Sequence, residues 1–170
     1  MGIAAVERGD AQAAPLAQPA SDPFIDDLFV RLRNELQTTL AKAASATRSR
    51  ERVASAARAW WDEFCEVLER KVRAWNCKDE PEARVTCTRS AFDSILLWHH
   101  AVEAQLTLQE ARVVVTGRVG DTQPRQSPFI EFNETRGSVA AILAGERAPK
   151  SPSAAADHLL APLLTRAFAG

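Results

Sequence analysis

Two adjacent histidines, His99 and His100, lie in the apolar segment DSILLWHHAV at residues 93–102 and are suited by type to acid–base or metal chemistry. In a strand, neighbouring side chains point to opposite faces of the sheet, and in a helix they diverge by about 100°. Neither geometry lets the two rings chelate one ion as a pair. We therefore predict that at most one of them faces a covered surface, where one hydrogen bond would satisfy it.

The other groups that could do chemistry form no recognisable motif. A metal site would need one of these histidines together with His158, a cysteine or a carboxylate from a distant segment, and no ligand spacing supports such a set. The three cysteines, Cys65, Cys77 and Cys87, lack C-x-x-C spacing and are interpreted as small core residues. Neither a G-x-G-x-x-G sequence nor a P-loop is present. We predict no catalytic residue, no metal and no cofactor, which favours a protein that is not an enzyme.

The composition restricts the classes of partner. The chain has 170 residues, of which 46% are hydrophobic and 25% charged, with a formal net charge of -1. A chain with so little net charge has no global field to attract nucleic acid, and no apolar run approaches the roughly 18 to 20 residues that span a bilayer. We expect a cytoplasmic protein that binds neither nucleic acid nor membranes. Arginine outnumbers lysine seventeen to four, a bias typical of high-GC bacterial genomes.

The first half of the chain is predicted to be helical. Residues 1–21 lack any sustained period and are expected to form a disordered tail, after which residues 22–79 form a helical arm without glycine or proline between Phe24 and Lys78. Residues 45–52 contain no large apolar side chain. Because one helix of this length would measure roughly 80 Å, we favour a break near residues 45–51 and thus a helical hairpin. The alternative is one long helix that packs on something outside the monomer.

The second half is predicted to be an antiparallel meander of about five to six strands over residues 83–144, followed by a helix over residues 152–169. Gly137 can close a hairpin at residues 134–137, and residues 120–126 form a longer polar loop. Residues 94–111 could instead be helical, since Ile95, His99 and Leu106 share one helical face. We favour strands there because the segment is rich in β-type residues that need pairing neighbours.

These elements predict an α+β fold in which residues 22–170 form a single domain and the two helical regions cover opposite faces of the sheet. In that arrangement, no surface of the same chain remains to cover the apolar side of the segment from Phe24 to Leu40. A homodimer or a complex with another protein would bury it. The candidate interface consists of Phe29, Leu32 and Leu36.

The function predicted from these features is that of a non-enzymatic interaction protein: an adaptor, a chaperone or an accessory subunit that acts through its Trp-bearing helix and its sheet surface. The alternative is a small-ligand-binding protein or an enzyme with a pocket between sheet and helices. The candidate pocket is lined by aromatic and histidine side chains, namely Trp60, Trp61, Phe64, Trp98, His99 and His100.

Overall fold

The computed structural model describes residues 22–78, 81–100, 102–119, 125–135 and 137–169. The elements are, in chain order, α1 (Pro23–Asn76), a 3-10 turn (Pro81–Ala83), β1 (Thr86–Ala91), β2 (Ser94–His99), β3 (Val102–Gln109), β4 (Arg112–Val119), β5 (Arg125–Thr135), β6 (Ser138–Leu143) and α2 (Pro152–Ala169). The predicted α+β fold is confirmed. The expected tail at residues 1–21 and most of the loop expected at residues 120–126 lie outside the described residues.

Helix α1 runs without interruption from Pro23 to Asn76, so the break expected near residues 45–51 is wrong. Those residues include no glycine or proline, and the Ser, Ala, Thr, Arg and Glu side chains there cost the helix little each. Length and missing apolar side chains are therefore not enough to end a helix. At the first turn, the backbone N–H of Phe24 donates to the Asp22 carboxylate at 2.9 Å, which caps the helix.

All six strands form one antiparallel sheet in the order β1-β2-β3-β4-β5-β6, the simple meander that the sequence predicts. Residues 94–109 form β2 and β3, paired from Ser94↔Thr107 to His99↔Val102, so the strand interpretation of this region is confirmed. The hairpin at residues 134–137 is also present. Thr135 pairs with Ser138, and Gly137 has a positive φ of 80°. A residue with a side chain would adopt this backbone conformation only at a cost in free energy, which favours glycine there.

The chain divides into two compact units, Met1–Ala43 and Ala44–Gly170. In the second unit, the core lies between one face of the sheet and two helical segments, residues 44–76 of α1 and α2. Phe129 shows that both helices cover the same face, since its ring lies 6.2 Å from Phe64 of α1 and 6.4 Å from His158 of α2. The expectation that the helices cover opposite faces is therefore wrong.

The reason lies in the alternation of buried and exposed residues over positions 104–106 of β3 and 130–133 of β5. Leu106 and Ile130 are fully buried beneath the helices, whereas Gln105, Glu131 and Asn133 are exposed on the other side. A sheet with one apolar and one polar face needs cover on one side only. Each large side chain buried on the covered face contributes roughly 1.5 to 3 kcal/mol to stability.

Polar contacts fix residues 44–76 of α1 on the sheet. All three tryptophans of the helix donate their indole N–H to backbone carbonyls, from Trp60 to Lys150 at 3.2 Å, from Trp61 to Phe92 at 3.0 Å and from Trp75 to Ala83 at 2.7 Å. A tryptophan can thus be buried without leaving its one donor unpaired. These rings are part of the scaffold that holds the helix in place.

Candidate functional site

The most unusual surface of the described chain is the first part of α1, in the unit that ends at Ala43. Leu28 is partly buried, whereas seven of its large apolar residues are more than half exposed, at 54–70%: Phe24, Ile25, Phe29, Val30, Leu32, Leu36 and Leu40. Scattered exposed apolar residues are normal on any protein. Here they are concentrated in seventeen consecutive positions of one helix, from Phe24 to Leu40, and that concentration identifies the site.

Four of these residues form a continuous line. Ile25, Phe29, Leu32 and Leu36 follow one another at steps of four, three and four residues, the spacing of the a and d positions in a heptad. We name these four residues the N-terminal stripe. Leu28 and Leu40 lie beside the stripe and widen it. The sequence prediction of Phe29, Leu32 and Leu36 as interface residues omitted Ile25, although its position four residues before Phe29 indicates the same face.

The exposed apolar area of this surface is large for a helical segment about 30 Å long. An aromatic side chain has about 150–250 Å² to bury, so Phe24 and Phe29, exposed by 70% and 64%, leave roughly 200 to 330 Å² in water between them. The exposed aliphatic residues of the same segment add to that area. The largest apolar patch of a typical soluble monomer measures only about 300–600 Å² and often has a function.

The opposite side of the same helical segment is mostly polar, although Phe24 and Val30 also lie off the stripe. Asp27, Arg31, Asn34 and Thr38 lie there and are exposed. The Thr38 hydroxyl donates to the backbone carbonyl of Asn34 at 2.8 Å, a local bond that helical threonines commonly make. Asp26 and Arg33 lie at the border between the two sides and bring charge next to the stripe.

The two histidines of the second unit have different surroundings. His99 is 5% exposed at the end of β2, and its Nε2 lies 2.9 Å from the backbone carbonyl of Glu82. Its Nδ1 has no hydrogen-bond partner within the described part of the chain. His100 is exposed, and its ring contacts the ring of Trp98 with centroids 5.5 Å apart. The rings of His99 and His100 nevertheless contact each other edge-on, with centroids 5.2 Å apart, because His100 lies in the turn after β2 rather than in the strand.

The six candidate pocket residues are not brought together. Trp60, Trp61 and Phe64 pack on one another beneath the sheet, with ring centroids 5.1 Å apart for Trp60–Phe64 and 5.7 Å for Trp61–Phe64. Trp61 and Phe64 have no exposed surface. Trp98 pairs with Glu103 on the uncovered face of the sheet and is 44% exposed. The aromatic residues of α1 thus fill the space that a ligand pocket at this position would need.

The cysteines differ in reactivity because they differ in burial. Burial raises the pKa of the Cys65 thiol to about 12 and that of the Cys87 thiol to about 11. A thiol with such a pKa is almost entirely protonated near neutral pH and is a poor nucleophile or metal ligand. Cys77, just beyond the end of α1, is exposed. Within the residues that the structure describes, no group of three or more histidine, cysteine or acidic side chains is placed to hold a metal ion.

An apolar cleft of about 400 Å³ lies between the end of α1 and α2, lined mainly by Trp75, Leu160 and Leu164, with Lys71 and Lys78 at its rim. It is open to solvent, and Lys71 is engaged by Asp157 at 2.7 Å. None of the candidate pocket residues lines it. Among the described residues, no helix combines the length and the apolar character that crossing a bilayer requires.

Comparison with known proteins yields no relative from which a function could be transferred. No protein-family model matches the chain, and no curated protein or solved structure matches it significantly.

Proposed function

We propose that this protein is a non-enzymatic interaction protein, an adaptor, chaperone or accessory subunit, that binds another protein chain through the N-terminal stripe. Residues 44–170 supply a folded body, and the helical segment up to Ala43 supplies the binding surface. The sequence predicted that the tryptophans of α1 contribute to the binding surface. Their rings lie in the core or pack against it, so the proposed binding surface does not include them. Trp98, on the uncovered sheet face, is the exposed tryptophan of the described residues.

One observation carries the proposal, namely the exposure of Ile25, Phe29, Leu32 and Leu36 at 54%, 64%, 54% and 59%. An amphipathic helix that lays such a face against a partner is a common mode of protein recognition, with anchors at i, i+3, i+4 and i+7. Complete burial of an exposed apolar side chain contributes roughly 1.5 to 3 kcal/mol, and because each anchor still exposes a little more than half of its surface, it can contribute roughly 1 to 2 kcal/mol against the cost of association.

The alternative of a ligand pocket between sheet and helices has less support. Its aromatic lining would be Trp60, Trp61 and Phe64, and their mutual stacking leaves no room between them. The titratable groups that such a pocket would use, His99 and His100, face different surroundings. No observation on the described residues favours an enzymatic role over binding, so the stripe remains the better basis for a function.

The proposal is tested by affinity capture from the native host with two matched baits. The first bait carries Leu32→Glu and Leu36→Glu in the stripe. The second carries Asn34→Glu and Thr38→Glu on the polar side, with the same added charge and the same spacing. All four positions are exposed, so both variants are expected to fold like the wild type, which circular dichroism checks.

We expect a stoichiometric partner, either another protein or an untagged copy of the same chain, to be retained by the wild type and by the polar-side variant. The stripe variant should lose it. Equal recovery of every captured protein with all three baits would contradict the proposal, since binding would then not depend on the stripe.

A further inference from the structure

We infer that the N-terminal stripe is covered by the same stripe of a second copy of this chain, and that the two helices run antiparallel. The inference rests on the proposed function, because it names the partner and the geometry of that same surface. Two observations support it: the a and d spacing of the stripe and the position of two opposite charges beside it.

The spacing suits a pair of helices. With Phe29 and Leu36 at a positions and Ile25 and Leu32 at d positions, each helix presents a two-turn seam of the kind that packs between helices about 8–10 Å apart. In an antiparallel pair, an a position faces a d position of the other helix. Phe29 then packs against Leu32 of the second copy, and Ile25 packs against Leu36 of the second copy.

The flanking charges distinguish the two orientations. Asp26 and Arg33 both occupy the e position, directly beside the stripe. In the antiparallel register just given, Asp26 of one chain and Arg33 of the other lie within about 3 Å of each other along the helix axis. The twofold symmetry repeats this contact, so the dimer has two equivalent pairs of opposite charge. Charge complementarity of this kind sets orientation in helix pairs.

A parallel pair of these helices would form no such contacts between opposite charges. There the g position of one helix lies beside the e position five residues later in the other, so Leu28 would adjoin Arg33, and Glu35 would adjoin Leu40. Both contacts place a charge against a leucine, as the contact between Leu28 and Glu35 at the g positions also does in the antiparallel pair, but only the antiparallel pair adds contacts between opposite charges.

The test is a charge swap measured on the full chain by the dimer dissociation constant in sedimentation equilibrium. Either Asp26→Arg or Arg33→Asp alone places two like-charge contacts at the interface and should weaken dimerisation roughly tenfold. The double variant restores opposite charges and should return to within about threefold of the wild type. Arg31→Asp, on the polar side of the same helix, is the matched control and should leave the constant unchanged.

Cross-linking gives a second readout that does not depend on charge. In a background with Cys77→Ser, a mixture of the Ile25→Cys and Leu36→Cys chains should form a disulfide-linked dimer of the two different variants under mild oxidation. Each variant alone should cross-link poorly. Efficient cross-linking of Leu36→Cys to itself would overturn the antiparallel geometry, because only a parallel pair brings these two positions together.

The outcomes separate this inference from the proposed function. A dimer that the stripe variant abolishes, but in which the charge swap gives no rescue, overturns the antiparallel pair and leaves the stripe as the binding surface. A wild-type monomer whose stripe captures a different protein overturns the second copy as partner. A dimer that survives Leu32→Glu with Leu36→Glu overturns the second copy as the partner of the stripe, whereas the proposed function is overturned only by equal recovery of every captured protein with all three baits.

Discussion

The two parts of helix α1 have the same kind of sequence and opposite surroundings. In residues 44–76, the regularly spaced Ala57, Trp61, Phe64 and Leu68 have no exposed surface. In residues 23–43, the equally regular Ile25, Phe29, Leu32 and Leu36 are more than half exposed. Periodicity produces an amphipathic helix in both places. Whether the apolar face is covered depends on what the rest of the chain supplies.

The sheet supplies cover for one of these segments only. Its apolar face is occupied by residues 44–76 of α1 and by α2, and its other face carries polar side chains such as Gln105, Glu131 and Asn133 beside the exposed Trp98. An apolar helix face has little to gain from contact with such a surface, because burial of unpaired polar groups costs free energy. Among the described residues, the apolar face of the first segment is therefore left exposed, and this exposure is the basis on which a partner is proposed.

Replacing a leucine by alanine in each segment should give the largest difference between the two segments in the free energy of unfolding. Leu68→Ala removes a side chain with no exposure and should lower the free energy of unfolding by about 2–5 kcal/mol. Leu32→Ala changes a side chain that is 54% exposed in the single chain and, below the concentration at which the chain dimerises, should alter the unfolding of the second unit by less than about 0.5 kcal/mol. Urea denaturation followed by tryptophan fluorescence measures both. Equal losses would show that the two segments are not differently covered.

The reaction rates of the cysteine thiols provide a second comparison between buried and exposed positions. Raising a thiol pKa from 9.0 to about 12, as burial does for Cys65, reduces the thiolate fraction roughly a thousandfold. With an aromatic disulfide reagent at pH 8, we expect one rapidly reacting thiol, that of Cys77, and slow reaction of Cys65 and Cys87. In the Cys77→Ser variant the rapid phase should disappear. A second rapid phase in that variant would contradict the burial of α1 on the sheet.

A smaller effect, on the pH dependence of stability, is expected where α1 contacts the β5–β6 hairpin. The Ser49 hydroxyl donates to the Glu134 carboxylate and, together with Arg52 at 2.6 Å, lowers the pKa of that group. A carboxyl whose folded-state pKa is lowered stabilises the fold above its unfolded-state pKa, about 4.3, and this contribution is lost as the pH falls through the lowered value.

Replacing Ser49 by Ala removes the larger cause of that shift. The loss of stability between pH 7 and pH 3 should therefore be smaller in Ser49→Ala than in the wild type, whereas Ser45→Ala, at an exposed position of the same helix, should behave like the wild type. Thermal unfolding followed by circular dichroism across this pH range provides the measurement. An unchanged acid dependence in Ser49→Ala would show that this contact does not hold the helix against the hairpin.

Much of the fold could be predicted from local patterns. The β-type residues of the 94–111 region, which need pairing neighbours, and the glycine at position 137 correctly predict β2, β3 and the β5–β6 hairpin. The break in α1 was wrongly predicted because length and composition were given more weight than the missing helix breakers. The covered face of the sheet was also misassigned, since a strand pattern identifies an apolar face without showing how many helices share it.

The candidate sites differ in what the sequence could reveal. The stripe follows from spacing alone, because a and d positions belong to a single helix. The pocket residues come from α1 and from β2, so their arrangement depends on tertiary contacts such as Trp61 to Phe92. Alternation along β2 places Trp98 and His99 on opposite sides of the sheet, which the sequence could indicate, but the stacking of Trp60 on Phe64 required the structure.

The most direct test of the account is the mass of the intact chain in solution at micromolar concentration, measured by light scattering for the wild type and for Leu32→Glu with Leu36→Glu. We predict a wild-type mass of twice 18.6 kDa and a folded variant with a mass of 18.6 kDa. A wild type of 18.6 kDa, together with a double variant that is folded and equally soluble, would contradict the claim that a second copy covers the stripe.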